Sequence, residues 1–529
     1  MTYRIQAVVF AAAVLGSVHL AAQSNAPGFP VTLSGSGVNQ SSIAIGDVDG
    51  DGLADDIVVG GRDGVVHAYR GDGSLIFTFD TGTAGIDSRA AIGDIDADGL
   101  PEVVVTAGSN IDPGPGRLVV LSNTGALQCQ FLPLDIIVDG QPDGIITSAA
   151  LADLDGNDGG RLEIVFGAWD HRVRALHDDC TPLWQDFARD TVYSSPAIGD
   201  LDGDGDLDVV TGTDAHLIPG VTTDGGLIIA YDGATGVRLP GFPLQTDEAI
   251  ASSPALVDLD RDGHLDIVVG TGNCWGSGDI NCGNPQHPGV GERLNALNRT
   301  GVPLPGWPVT IPGRVADGSP AIADLDGDHY PEVIINGFVR GTGPPADGRV
   351  WVIDHNGVVA AGFPKTPQTP STCGGASVSY ATPASPIVVD IDDDGDLDIV
   401  LPSNGELVAW DATTGAQLTR TSLSSGGSGC QTIPSGSLLF LTAWSVAGSA
   451  AVGDIDNDGL LELVVGGYQT FPDVSPGRLY AWNLPTLVNG PAPWPMFKRD
   501  ALGHSLYQNV LFVDGFGSGD MSAWSLASP

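Results

Sequence analysis

The sequence predicts an all-β fold, a propeller of eight four-stranded blades. Three observations carry that expectation. An acidic loop between two apolar strands recurs eight times in 529 residues. Two further short strands with Gly-rich turns follow most copies. Val, Ile, Leu and Ala fill the strands, while aromatic residues make up only 6% of the chain. Units repeated at an interval form one larger body, which overrides the several domains that length alone suggests. A seven-bladed ring is the alternative, and eight copies favour eight.

Tyr193 to Gly212, YSSPAIGDLDGDGDLDVVTG, shows the unit in its fullest form. Pro196 to Gly199 reads as an apolar strand, Asp200 to Asp208 as an acidic loop, and Val209 to Gly212 as a second strand. Carboxylates on alternate residues, with Gly205 at the sixth loop position for a sharp turn, suit a hard cation that takes about six to eight oxygen ligands. Positions 1, 3 and 5 offer side-chain oxygens, position 7 a backbone carbonyl, and position 9 the closing carboxylate.

The candidate metal ligands follow by register. They are Asp47, Asp49, Asp51 and Asp55 in the first copy, Asp94, Asp96, Asp98 and Glu102 in the second, and Asp153, Asp155, Asn157 and Glu163 in the third. The fourth supplies Asp200, Asp202, Asp204 and Asp208, and the fifth Asp258, Asp260, Asp262 and Asp266. The sixth supplies Asp324, Asp326, Asp328 and Glu332, the seventh Asp390, Asp392, Asp394 and Asp398, and the eighth Asp454, Asp456, Asp458 and Glu462. The third copy has two extra residues before Glu163, and the sixth has His329 where the Gly is expected.

An EF-hand loop opens the same way but needs a bidentate Glu at its twelfth position, between two helices. Here that position holds Val58, Val105, Thr211, Val269, Ile335, Leu401 or Val465, inside apolar runs. An aliphatic side chain cannot bind a metal. The loops therefore read as strand–loop–strand calcium sites, seven or eight of them, with a structural role.

A third strand of the form Gly-x-apolar-x-apolar-x follows, as at Gly64 to Tyr69, Gly226 to Tyr231 and Gly477 to Trp482. A tight turn and a short fourth strand with an aromatic-Pro step complete the unit, as at Gly241-Phe242-Pro243 and Gly306-Trp307-Pro308. Two segments resemble that fourth strand at the chain ends, Gly28 to Val31 and Trp494 to Phe497, and either one could close the ring. Strand alternation puts the acidic 1–2 loops and the 3–4 turns on one face. The long 2–3 and 4–1 insertions gather on the other, where loops of such length carry function.

The formal net charge of −44 excludes nucleic acid and anionic membranes as partners, because both require basic surface. The regular loops account for 28 of the 65 acids. Arg4, the apolar run Ile5 to Leu20 and the small residues Ala21-Ala22 read as a signal peptide over residues 1–22. The propeller is then expected over 23–507 and a short tail over 508–529, in an exported protein with no spanning helix. Export suits disulfides. Among six cysteines, Cys274–Cys282 is the best pair, with Cys373–Cys430 and Cys129–Cys180 linking neighbouring repeats.

The stretches SSPAIGDLDGDGDLDVVTG, SSPALVDLDRDGHLDIVVG and GSPAIADLDGDHYPEVIING resemble the FG-GAP or VCBS-repeat family, whose calcium-binding propeller repeats also occur in integrin α-subunit heads. The resemblance covers roughly residues 28–507 and implies calcium and seven or eight blades. It implies no activity, since the fold hosts adhesins, lectins and lyases alike. The chain carries no H-E-x-x-H, G-x-S-x-G or P-loop motif. Arg70-Gly71-Asp72 spells an integrin-recognition tripeptide but falls at a strand 3–4 turn, and so reads as a hairpin turn. Trp275, inside the Cys274–Cys282 loop, is a candidate to stack on a sugar ring. The expected function is a secreted, monomeric, non-catalytic module that binds protein or glycan through its insertion face. The alternatives are a polysaccharide lyase-like enzyme using Arg293, Arg314 and Arg340, and a structural cell-surface module.

Overall fold

In a computed structural model the described residues are 23–507, except 36, 39–40, 84, 109–114, 137–139, 157–158, 216–224, 247, 273–292, 312–317, 339–347, 366–383, 404–405, 420–437, 439, 441–444, 447, 469–475 and 489. They form eight antiparallel sheets arranged as the blades of a propeller, with no helix among them. Blade 1 is Ala44–Gly46, Asp56–Gly60, Val65–Tyr69 and Leu75–Asp80, and the other blades repeat its order. Blades 6 and 7 show three such strands among the described residues, with a bridge from Val350 to Lys365 and from Trp410 to Gln417 at the fourth position.

Blades pack face to face, so their inner three strands are buried on both sides and read as unbroken apolar runs. Ala44, Val58, Val66 and Phe77 of blade 1 pack directly on Ile92, Val103, Val105 and Val119 of blade 2. Each fully buried Val or Ile stabilises by roughly 1.5–3 kcal/mol. The outer strand keeps one face in water: in Leu75–Asp80, Phe77 is buried and Leu75 is exposed.

The N-terminal segment closes the ring. Val31 and Thr32 pair with Leu479 and Arg478 of the last blade, and Ala26 donates to the Ala481 carbonyl at 3.0 Å.

The other candidate segment has a different place. Residues 494–507 make one turn around the central channel. The innermost strand of each blade is a sheet edge, and an unpaired edge donor must find an acceptor; in six blades the middle residue of that strand donates its N–H to this segment. Trp494 and Pro495 accept from Val388 and Val452, of blades 7 and 8, each at 2.9 Å. Ala501, Leu502, His504 and Ser505 then accept from Ile92, Leu151, Ile198 and Leu256, of blades 2 to 5, at 2.9–3.1 Å. Tyr507 Oη takes the N–H of Asp324 in blade 6 at 3.3 Å, and Ala501 packs against the core between blades 1 and 2. Gly93 leaves room for this segment, since a Cβ there would lie 2.6 Å from Leu502 Cδ2.

A second ring runs outside the first. In seven of the eight blades the N–H of the residue two before the innermost strand donates to the Ser Oγ at the same place in the next blade. The chain of bonds is Arg89 to Ser148, Ser195, Ser253, Ser319, Ser385, Ser449 and Ser42, at 2.8–3.2 Å. Arg89 is the one member without a hydroxyl. Its buried guanidinium instead reaches the channel segment.

Candidate metal centres

Each acidic loop joins the innermost strand to the second strand of its blade, and its geometry repeats closely. The position 1 carboxylate accepts backbone N–H groups across the loop: Asp200 takes Gly203 at 2.8 Å and Gly205 at 3.2 Å, and Asp47 takes Gly50 at 2.8 Å and Gly52 at 2.9 Å. The position 5 carboxylate takes the N–H of position 7, as Asp204 does from Asp206 at 3.0 Å and Asp458 from Leu460 at 2.9 Å. These bonds fold the side chains back over the loop and point them at a common centre.

Two loop positions adopt positive φ. Position 6 does so at Gly52, Gly99, Gly205, Gly263, Gly395 and Gly459, and His329 adopts the same conformation at φ 75°. The departure at His329 therefore leaves the loop path unchanged. Position 4 is also left-handed, even where it is Ala97, Arg261, Asp393 or Asn457, at φ 57–61°.

The closing carboxylate opens the second strand in seven loops and lies two residues into it in the eighth. One of its oxygens accepts the N–H of loop position 2 in all eight, at 2.7–3.1 Å. In the first loop that residue is Asp56, not Asp55 as the spacing suggested. Asp56 pairs with Gly46, as Glu102 does with Gly93 and Asp208 with Gly199. The loop is one residue longer there. Asp55 turns outward to accept Asn457 Nδ2 from the eighth loop. Asn157 lies outside the described residues.

Ligand-type oxygens of Asp47, Asp49 and Asp51, of Asp94, Asp96 and Glu102, of Asp200, Asp202 and Asp208, and of Asp258, Asp260 and Asp262 each cluster within 4.8 Å. In loops 6, 7 and 8 the aspartates lie close enough to act by charge on the closing carboxylate. Burial, then the charges of Asp326, Asp324 and Asp328, push Glu332 up to about 8. Burial and the loop carboxylates likewise raise Asp398 and Glu462 to about 8 and Asp208 and Asp266 to about 7. Stacking several carboxylates around a buried one disfavours its ionised form unless a cation joins them. The residues present fit one. Asp258 Oδ1, Asp392 Oδ1, Asp454 Oδ1 and Glu462 Oε1 are buried in the loops with no hydrogen-bond partner.

The end of the third strand adds residues that loop spacing does not reveal. Asp232 and Asp411 add negative charge beside Asp202 and Asp392, and Arg70 Nε donates to Asp49 at 2.8 Å. In the third loop His177 joins Asp155 and Glu163. The signal was a polar residue directly after an apolar third strand. Arg70-Gly71-Asp72 forms the hairpin turn expected of it, with the Gly73 N–H on the Arg70 carbonyl at 2.8 Å. Cys129–Cys180 is a disulfide, whereas Cys274, Cys282, Cys373 and Cys430 lie outside the described residues, as do Trp275, Arg314 and Arg340.

Comparison with known proteins agrees with this architecture. No curated protein matches the chain. The quinohemoprotein alcohol dehydrogenase of Comamonas testosteroni is similar over 89% of this chain and 79% of its own, at 13% identity and a TM-score of 0.54. Sqt1 of Saccharomyces cerevisiae is similar over 88% of this chain and 100% of its own, at 12% identity and a TM-score of 0.55. Both are likenesses of fold alone. Residues 47–105, which hold the first two acidic loops, match the family model of the FG-GAP-like repeat. The chain is an eight-bladed β-propeller, and the segment holding its first two acidic loops is similar to the FG-GAP-like repeat.

Proposed function

We propose that this is a secreted, monomeric, calcium-stabilised propeller that binds protein or glycan without catalysis, through the face bearing the 2–3 and 4–1 loops. Glu462 carries the calcium reading: its side chain is fully buried, one oxygen takes the Ile455 N–H at 2.9 Å, and Oε1 has no protein partner. A hard divalent ion satisfies such an oxygen, and extracellular calcium is available at the affinity these sites need. The Cys129–Cys180 disulfide supports an oxidising compartment, and residues 1–22 supply the export signal.

For binding, a groove of about 240 Å³ lies between blades 4 and 5, with Ile228 and Leu244 on one wall and Thr271, Arg293 and Asn295 on the other. Thr271 and Arg293 flank the 273–292 insertion in sequence. An apolar wall opposite hydrogen-bonding groups suits a sugar ring. The lyase-like alternative is weaker, because the chain has only two lysines and one of them, Lys498, is buried in the channel, which leaves arginines such as Arg293 to meet an acidic polymer. A glycan array and calorimetry on the calcium-loaded protein test the reading. Retained binding that Arg293→Ala weakens supports it. An unsaturated product released from uronate polymers would replace it with the lyase, and no binding to any glycan or protein would leave only the structural module.

A further inference from the structure

The third acidic loop differs from the rest in chemistry, and it does so independently of whether the others hold calcium. Two carboxylates and an imidazole meet there: ligand atoms of Asp155, Glu163 and His177 lie within 4.8 Å of one another. The geometry points to a site for a zinc-class divalent transition ion, held by Asp155, Glu163 and His177.

Three observations support the assignment. First, Glu163 is 1% exposed, and its Oε2 is committed to the Leu154 N–H at 2.8 Å. Its Oε1 lies 3.5 Å from His177 Nδ1. Tetrahedral bonds of about 2.0–2.1 Å place neighbouring ligand atoms about 3.3 Å apart, so this pair can meet one ion with little movement. Second, the turn that carries the imidazole is fixed before any metal arrives. The turn after His177 closes with Cys180 N–H on the His177 carbonyl at 2.9 Å, and Cys180 is cross-linked to Cys129 of the neighbouring blade. Arg161 of the acidic loop binds Asp178 of the same turn at 2.8 Å, which draws loop and turn together. Third, the donor set is wrong for calcium. Calcium takes about six to eight oxygens, whereas imidazole nitrogen with carboxylate suits zinc, cobalt and related ions.

The test is to titrate cobalt(II) into the calcium-loaded protein and read the visible absorption. One equivalent of cobalt should bind with visible bands that one equivalent of zinc abolishes, and His177→Ala should lose them while keeping the melting temperature and calcium stoichiometry of the parent. If His177→Ala fails to fold, His177→Gln, closer in length, should lose the same bands. Absence of cobalt bands in the parent, or bands of equal intensity in both variants, would overturn the assignment. Because calcium stoichiometry is read separately, failure here and failure of calcium at the regular loops are distinguishable.

Discussion

The guanidinium of Arg89 holds the carbonyl oxygen of Asp500 with two N–H groups, Nη1 at 2.8 Å and Nη2 at 2.6 Å. The same side chain also donates to the carbonyls of Phe497 and Ala501, each at 3.0 Å. Burial lowers the Arg89 pKa to about 10, which still leaves it cationic at neutral pH. Asp500 is held down at about 2, since His504 and Arg89 outweigh the burial that would raise it. Lys498 adds a buried contact to the Pro196 carbonyl. Replacing Arg89 by Ser would restore a hydroxyl to the outer ring but leave the Phe497 and Asp500 carbonyls without this donor, while Ala501 keeps the Ile92 N–H. At about 1–3 kcal/mol for each unsatisfied group, Arg89→Ser should cost about 2 kcal/mol or more. Thermal unfolding of the variant measures it, and a chain ending at Pro493 should lose more.

The outer ring can be tested apart from the channel. Ser253 Oγ takes the N–H of Ser195 at 3.0 Å in a buried site. Ser253→Ala should therefore cost about 1–2 kcal/mol, and denaturant titration should show it.

Asp55 and Asp56 are adjacent in sequence and different in role. Asp56 is buried with two loop N–H groups on Oδ2, from Val48 and Asp49, each at 2.9 Å. Asp56→Asn should remove one calcium equivalent and destabilise the loaded protein, whereas Asp55→Asn should keep the full stoichiometry. Isothermal titration calorimetry reads both.

Without cations, stability should depend on pH in an unusual sense. Burial raises Asp208 and Asp266 to about 7 and Glu332, Asp398 and Glu462 to about 8. Their unfolded values lie near about 4, so the folded state binds protons more tightly. The resulting stability is complete below about pH 4 and is lost as pH climbs through about 7–8. For these groups the chelated protein should thus melt higher at pH 5 than at pH 8. Calcium needs the ionised carboxylates and should reverse that order. At tenfold saturation each site adds about 1.4 kcal/mol. Melting curves at both pH values, with chelator and with millimolar calcium, test the reversal.

His329 sits at φ 75° with its side chain 70% exposed. A left-handed conformation costs a non-Gly residue roughly 1–2 kcal/mol. His329→Gly should raise the melting temperature by a few degrees without altering calcium stoichiometry.

The sequence by itself determined the blade. Acidic residues at every second position fix a tight loop with converging carboxylates, and the flanking apolar runs can only be strands buried on both faces. Eight such units announce the ring and place nearly every loop acid. The register slip to Asp56 escaped, because two adjacent aspartates look alike until strand pairing decides which one faces inward. Tertiary structure alone decided which chain end fills which role. Gly28 to Val31 and Trp494 to Phe497 carry similar aromatic-Pro steps, yet Val31–Thr32 pairs with the last blade while 494–507 lines the channel. Local pattern cannot separate them, because the acceptors that residues 494–507 offer are answered by N–H groups spread over the whole chain, and those come together only once the ring has closed.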